Sequence, residues 1–217
     1  LDRSSAASDV YKRQVLVGIW PDVSGSVMLD NVPVKSWNRI ELGPHVGYLP
    51  QDIELFEGSI AENIARFGDV ESAKVIQATR SAGLHEMILR FPKGYETPIG
   101  EAGNLLSGGQ RQRIGLARAM YGDPKLIVLD EPNANLDDAG EDALYQAIHE
   151  MKAQGKTVFL ITHRPGAISV ADKILLLNEG QVQMDGPRDT VLAAIKAAHQ
   201  KSAPHVAPIQ GPTTASA

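Results

Sequence analysis

The chain has 217 residues, of which 43% are hydrophobic and 22% charged, and its formal net charge is −5. That hydrophobic share excludes disorder along the whole chain, and the acidic balance argues against a nucleic-acid coat or a polybasic membrane binder. With no cysteine, a disulfide scaffold, a cysteine zinc site and a thiol nucleophile are excluded; no apolar run approaches the ~18 residues of a helical membrane span.

Taken in order, residues 1–14 (LDRSSAASDVYKRQ) are polar and show no strand or core pattern. No apolar segment with a small-residue cleavage site follows their charges, so they are no signal peptide. At Val15 the character changes abruptly to VLVGIWP. The first 14 residues read as foreign to the rest of the chain, a splice or assembly scar, with a natural variable arm as the alternative. An α/β domain is expected over 15–200, with a helical subdomain at about 55–121 and an unordered Ala/Pro/Ser/Thr-rich tail over 201–217.

Within the domain, Gly25–Asp30 and Val46–Pro50 read as short strands. A helical stretch follows over about Ser59–Arg90, with apolar positions at Ile60, Ile64, Val75, Ile76, Leu84, Ile88 and Leu89. A Gly-rich loop leads to Ser107 and a helix from about Gly108 to Tyr121. Leu126–Leu129 is uniformly apolar, as a strand buried on both faces requires. A helix over about Asp138–Gln154 carries a stripe of Ala143, Leu144, Ala147, Ile148 and Met151. Val158–Ile161 and Ile174–Leu177 read as two further buried strands, Gln181–Asp185 as an edge strand, and Pro187 as the first-turn proline of a last helix. Such alternation of strands and helices predicts a mostly parallel sheet. The helical span 59–121 is too long for one crossover and reads as an inserted lobe.

Two strings carry chemistry. In LIVLDEP, an apolar run meets the adjacent carboxylates Asp130 and Glu131, which places both acids at the carboxyl end of a strand, where α/β sheets bind ligands. Hard oxygen donors there suit Mg²⁺, which takes one or two carboxylates beside substrate phosphates. Successive residues at a strand end point different ways, so Asp130 is assigned to the magnesium shell and Glu131 to orienting and deprotonating a water. In LSGGQRQR, Ser107 can cap a helix whose first residues are Gly108 and Gly109, leaving free N–H groups and the positive dipole end for a phosphate. Taken alone, the first string also reads as two solvated acids at a turn, and the second as an ordinary helix start.

Together the strings resemble the nucleotide-binding domain of ATP-binding-cassette (ABC) transporters, with LSGGQ matching that family's signature and LIVLDE its Walker B element. Gln51 in YLPQD matches the Q-loop, Asn135-Leu136-Asp137 the D-loop, and His163 in ITHRP the switch histidine, all in the family's order over residues 15–197. The segment Leu55–Ile64 (LFEGSIAENI) and the run Thr97–Gly103 (TPIGEAG) resemble exporter cassettes. In exporters this region meets the intracellular helices of the membrane domains. VGYLPQD, DEPNANLD and GPRDTVL look most like the type I secretion permease/ATPases, which export unfolded proteins such as proteases, lipases or toxins.

The resemblance implies a RecA-like P-loop NTPase core with an inserted helical subdomain and a small antiparallel β portion. It implies ATP and Mg²⁺, with catalytic roles for Glu131 and His163. Gln51, Ser107, Gly108, Gly109, Gln110 and Asp137 are the implied nucleotide contacts, and Asp130 and Gln51 the implied metal ligands. Two cassettes would sandwich ATP head to tail, as a homodimer. The remaining implied partners are a transmembrane domain and, for type I secretion, membrane-fusion and outer-membrane proteins, with no nucleic acid. The implied location is the cytoplasmic face of the bacterial inner membrane.

One departure matters. No G-x-x-x-x-G-K-[ST] phosphate loop occurs anywhere in these 217 residues. By spacing its lysine falls near Asp9, and Lys12 lacks the glycines and the adjacent Ser/Thr. The aromatic residue that stacks on adenine should lie earlier still. The chain therefore reads as a cassette whose front end is missing or replaced, and these residues alone are expected to bind ATP weakly and turn it over hardly at all. Two other readings stay open: a non-catalytic remnant that pairs with a competent cassette, and a soluble ABC ATPase acting on DNA or ribosomes.

Overall fold

The structure, a computed structural model, describes residues 14–19, 24–100, 103–178 and 181–202. The foreign-looking segment (except Gln14), the tail beyond Ser202, and Glu101 and Ala102 of the TPIGEAG run lie outside the described residues. The chain divides into two compact units, one up to Ala171 and one from Asp172.

The first unit opens with a small hairpin, β1 (Met28–Leu29) and β2 (Val32–Pro33), paired antiparallel. The strand expected over Gly25–Asp30 forms only over Met28–Leu29. Asp30 and Asn31 take φ of 50° and 64°, the left-handed pair that a two-residue hairpin turn requires, and the chain reverses there. Helix α1 (Arg39–Leu42) comes next, its start capped by Asn38, whose Oδ1 accepts from the Ile40 amide at 2.9 Å. Strand β3 is Val46–Leu49.

The helical stretch expected over Ser59–Arg90 is three helices: α2 (Ile60–Ile64), α3 (Ser72–Ser81) and α4 (His85–Ile88). Breaks fall where Arg66, Phe67 and Gly83 take positive φ, which ends a right-handed helix. The Arg66 guanidinium then fills the break, donating to the carbonyls of Gly43 (2.9 Å), Arg118 (3.1 Å) and Val46 (3.2 Å). Helix α5 spans Gly108–Met120, strand β4 Leu126–Asp130, helix α6 Asp138–Ala153, strand β5 Thr157–Ile161 and helix α7 Pro165–Ile168.

These strands form a parallel sheet in the order β3-β4-β5, the arrangement the alternating pattern predicts. Leu49 pairs with Leu129 and Asp130 with Ile161, so all three strands end at one edge. β4 is buried along its whole length. β5 is not the buried strand expected: Phe159 is exposed, because β5 has a sheet neighbour on one side only among the described residues. Helix α5 lies close on β3: a Cβ at Gly47 would stand 2.0 Å from the Ala119 carbonyl oxygen, so only glycine lets helix and strand approach this far. The core joins Leu49, Ile60, Ile64, Leu84, Ile88, Ile99, Ile114, Ile127, Leu129, Leu144 and Met151, all fully buried.

The second unit pairs β6 (Lys173–Asn178) antiparallel with β7 (Gln181–Pro187), the register shifting at Leu176/Leu177. β6 also falls short of the expected burial, with Leu175 exposed. Pro187 closes β7 and the last helix, α8, runs Arg188–Ser202, one residue later than expected. Among the described residues no helix is long and apolar enough to cross a membrane.

Candidate active site

The shared edge of the parallel sheet gathers the residues that the strings singled out. Pro50 and Gln51 follow β3, Asp130 ends β4 with Glu131 next, and Thr162 and His163 follow β5. An apolar β4 drives this placement: burying Leu126–Leu129 on both faces carries the chain straight through the core, so its first polar residues emerge at the edge. Asp130 is buried, and Gln51 is exposed.

Glu131 and His163 meet directly. The Glu131 Oε1 and His163 Nδ1 atoms lie 2.9 Å apart, and the carboxylate side chain is 15% exposed while the imidazole is 84% exposed. A carboxylate oxygen accepts here, so Nδ1 carries the hydrogen of this bond. Glu131 also has φ of 44°, uncommon for a residue with a side chain. Its amide donates to the Ile161 carbonyl at 2.9 Å and its carbonyl accepts from the Ala134 amide at 3.1 Å, which pins the bend on both sides.

Ser107 caps α5 by a reciprocal pair: its Oγ accepts from the Gln110 amide at 3.2 Å and its own amide donates to Gln110 Oε1 at 2.8 Å. Ser107 is exposed, with Gly108, Gly109 and Gln110 partly so. The first turn of α5 lies on the turn after β4. A Cβ at Gly109 would come 2.8 Å from the Asn135 carbonyl oxygen, so glycine is needed for contact as much as for ligand access. Asp137 caps α6, its Oδ1 accepting from the Gly140 amide at 2.9 Å, and the same oxygen meets Arg113 Nη2 at 2.6 Å.

The structure thus brings Asp130, Glu131 and His163 to one edge with Gln51 at the neighbouring strand end. It sets Asp137 against the helix that Ser107 opens. Sequence reasoning gave no role to Gln112 or Arg113 and named Asn135 only as part of the D-loop match; these three residues join that helix to the 131–137 turn. Gln112 and Arg113 stand inside the quoted LSGGQRQR string, and their polar character on a helix facing the core was the available signal. Asn63 and Arg118 were missed as well: Arg118 Nε and Nη2 donate to the Asn63 carbonyl (2.9 Å) and to its Oδ1 (3.0 Å), tying the segment after Gln51 to the far end of α5.

A parallel sheet flanked by helices, with acids and an imidazole at its carboxyl edge and a capped glycine helix start beside them, defines an α/β P-loop NTPase-like protein. The sequence model of the family described as ABC transporter matches residues 13–134. The chain is 48% identical over 192 residues to the type I secretion system ATP-binding protein PrsD of Rhizobium meliloti, covering 88% of this chain and 33% of that protein. It is 37% identical over 179 residues to the ATP-dependent lipid A-core flippase of Saccharophagus degradans, covering 82% of this chain and 30% of that one. A solved bacterial Atm1-family ABC exporter with ATP bound superposes with a TM-score of 0.81 at 28% identity, over 94% of this chain and 36% of that one. The chain belongs to the ABC transporter family and corresponds to the ATP-binding domain of its exporters, spanning about a third of the length of these relatives.

Proposed function

We propose that this chain is the ATP-hydrolysing cassette of an exporter of the type I secretion kind, joined in the whole protein to a transmembrane domain at the cytoplasmic face of a bacterial inner membrane. The observation that carries the catalytic part is the largely buried Glu131 carboxylate bonded to an exposed His163 at the sheet edge. Glu131 accepts the proton of the attacking water. His163, through Nδ1, holds the carboxylate, and its exposed ring reaches the phosphate that water attacks. Gly108 and Gly109, whose amides the Ser107–Gln110 capping box does not use, face the phosphates held by a second copy of the cassette, with the Ser107 hydroxyl and the Gln110 side chain beside them, and Asp137 shapes that interface.

The donor set fits Mg²⁺: a buried Asp130 carboxylate and the Gln51 amide oxygen at adjacent strand ends are hard oxygens. Mg²⁺ commonly takes one or two protein oxygens and completes its shell with substrate phosphates and water. Bound there, magnesium would neutralise phosphate charge.

The type I secretion reading rests on the higher identity to PrsD than to the lipid flippase. Membrane-fusion and outer-membrane partners come with that reading. It is checked in proteoliposomes: an unfolded secretion substrate is expected to stimulate ATP turnover and be transported, whereas stimulation by lipid A instead would reassign the cargo. Glu131→Gln keeps shape and removes basicity. In the full-length exporter it should lower turnover ~10²–10⁴-fold while ATP binding persists; retention of most of the rate would remove Glu131 from the role.

A second reading has its own observation, the lack of G-x-x-x-x-G-K-[ST] in these 217 residues. By themselves they would then be a cassette that pairs without hydrolysing. Robust magnesium-dependent ATPase activity of the purified chain would contradict it and move the phosphate site elsewhere.

A further inference from the structure

Gln112 is fully committed yet takes no part in the hydrolysis as proposed. It sits inside α5, 1% exposed, and its Nε2 donates to two successive carbonyls of the turn after β4, Glu131 at 3.3 Å and Pro132 at 2.9 Å. Both amide hydrogens are thereby used. Its Oε1 accepts from Asn135 Nδ2 at 3.4 Å. The carbonyls it holds are those of Glu131, the residue of this turn with left-handed backbone at φ 44°, and of the residue after it. Such a conformation persists only when its surroundings over-determine it. Here the supports are the Ile161 carbonyl, the Ala134 amide and the Gln112 side chain.

We propose that Gln112 is the positioning residue for Glu131: its amide holds the left-handed turn that aims the carboxylate at His163, and it ties that turn to the helix opened by Ser107. The inference rests on the reading of Glu131 as general base. Helix start and base then move as one body. A nucleotide of the second copy that engages Ser107–Gln110 is linked through one buried side chain to the base at this chain's own edge. Asn135, exposed and bonded to the acceptor side of Gln112, sets the amide's orientation, so that both hydrogens face the carbonyls.

The test is ATP turnover by the full-length exporter carrying Gln112→Met, which keeps length and apolar bulk and removes both polar atoms. kcat is expected to fall about 10- to 100-fold with KM for ATP changed less than about 2-fold, as expected for a misaimed base. The discriminating arm repeats the substitution in a Glu131→Gln background, with residual hydrolysis followed in single turnover. Because Gln112 acts through Glu131, the second substitution should then change the rate less than about 2-fold. An equal fall in both backgrounds, or no fall in the parent, overturns the proposal. If Gln112→Met does not fold, Asn135→Ala decides: a fall of about 2- to 5-fold confined to the parent background supports it, and any other pattern overturns it. Glu131→Gln alone separates the two claims. If it spares turnover, the base assignment fails and the positioning role with it; if it abolishes turnover while Gln112→Met is neutral, only the positioning role fails.

Discussion

Two helices of this chain begin on a serine that closes the same reciprocal pair of hydrogen bonds, and they end up in opposite settings. At Ser59 the Oγ accepts from the Glu62 amide at 3.2 Å and the Ser59 amide donates to Glu62 Oε2 at 2.7 Å. At Ser107 the corresponding bonds run to Gln110, at 3.2 and 2.8 Å. Ser59 is buried, bridged to Pro98, and followed by the buried Ile60 and Ala61. Ser107 is exposed and followed by two glycines. The third helical residue also differs: Glu62 offers a carboxylate to the positive end of α2, whereas Gln110 leaves the end of α5 without a counter-charge. A capping box therefore says where a helix begins and nothing about its use. The following side chains and the charge at the third position decide whether the start is finished within the chain or left for an anion.

Exchanging the boxes breaks this contrast most sharply. Gln110→Glu keeps the cap and adds a carboxylate beside the proposed phosphate approach. Turnover of the full-length exporter should fall about 10- to 100-fold with the melting temperature unchanged. Full turnover in that variant would mean that α5 does not face phosphate.

Four residues after each serine the two starts diverge again. Asn63 is buried, accepts from the Phe56 amide and from Arg118, and donates to the carbonyls of Phe56 and Ser59. Arg111 is half-buried and donates to the Leu106 carbonyl at 3.2 Å. Denaturant unfolding should show that Asn63→Leu loses about 3 kcal/mol, because it strands a buried network, while Arg111→Met loses less than about 1 kcal/mol. Ser59→Ala is smaller than Asn63→Leu, about 1 kcal/mol, with turnover retained.

The smallest expected effect is a pH dependence at the structural box. The bond from the Ser59 backbone, then that from its hydroxyl, holds the Glu62 carboxyl below its ordinary range. A depressed folded value means stabilisation that is present above the unfolded pKa, about 4.3, and lost as pH falls through the folded one. Thermal melts of Glu62→Gln should lie slightly below the parent at neutral pH and converge with it in acid. A gap that widens in acid would contradict the assignment.

Much of the frame was legible from the sequence because it rests on local pattern. Leu126–Leu129 reads as a doubly buried strand and delivers Asp130 and Glu131 to the sheet edge, and Ser107 and Asp137 sit where helix caps belong. The misses share a physical cause, since each depends on partners far along the chain. The break at Arg66 is filled by its own guanidinium, which reaches the carbonyls of Gly43 and Arg118. Phe159 and Leu175 are as apolar as Val128, and only sheet position distinguishes them. The Gln112 amide reaches about twenty residues along the chain to its carbonyls, and no periodicity in a single sequence marks such a bond.

The contrast between a finished and an open helix start is tested most directly in a mixed dimer of the full-length exporter. One subunit carries Ser107→Arg, tags distinguish the two, and a photoreactive ATP analogue labels whichever sites still bind. Head-to-tail pairing predicts that labelling is lost from the unmutated subunit, whose phosphates face the altered helix start, and persists in the mutated one. Loss in the mutated subunit with labelling kept in its partner would show that Ser107 serves its own chain's nucleotide and would contradict the open helix start proposed here.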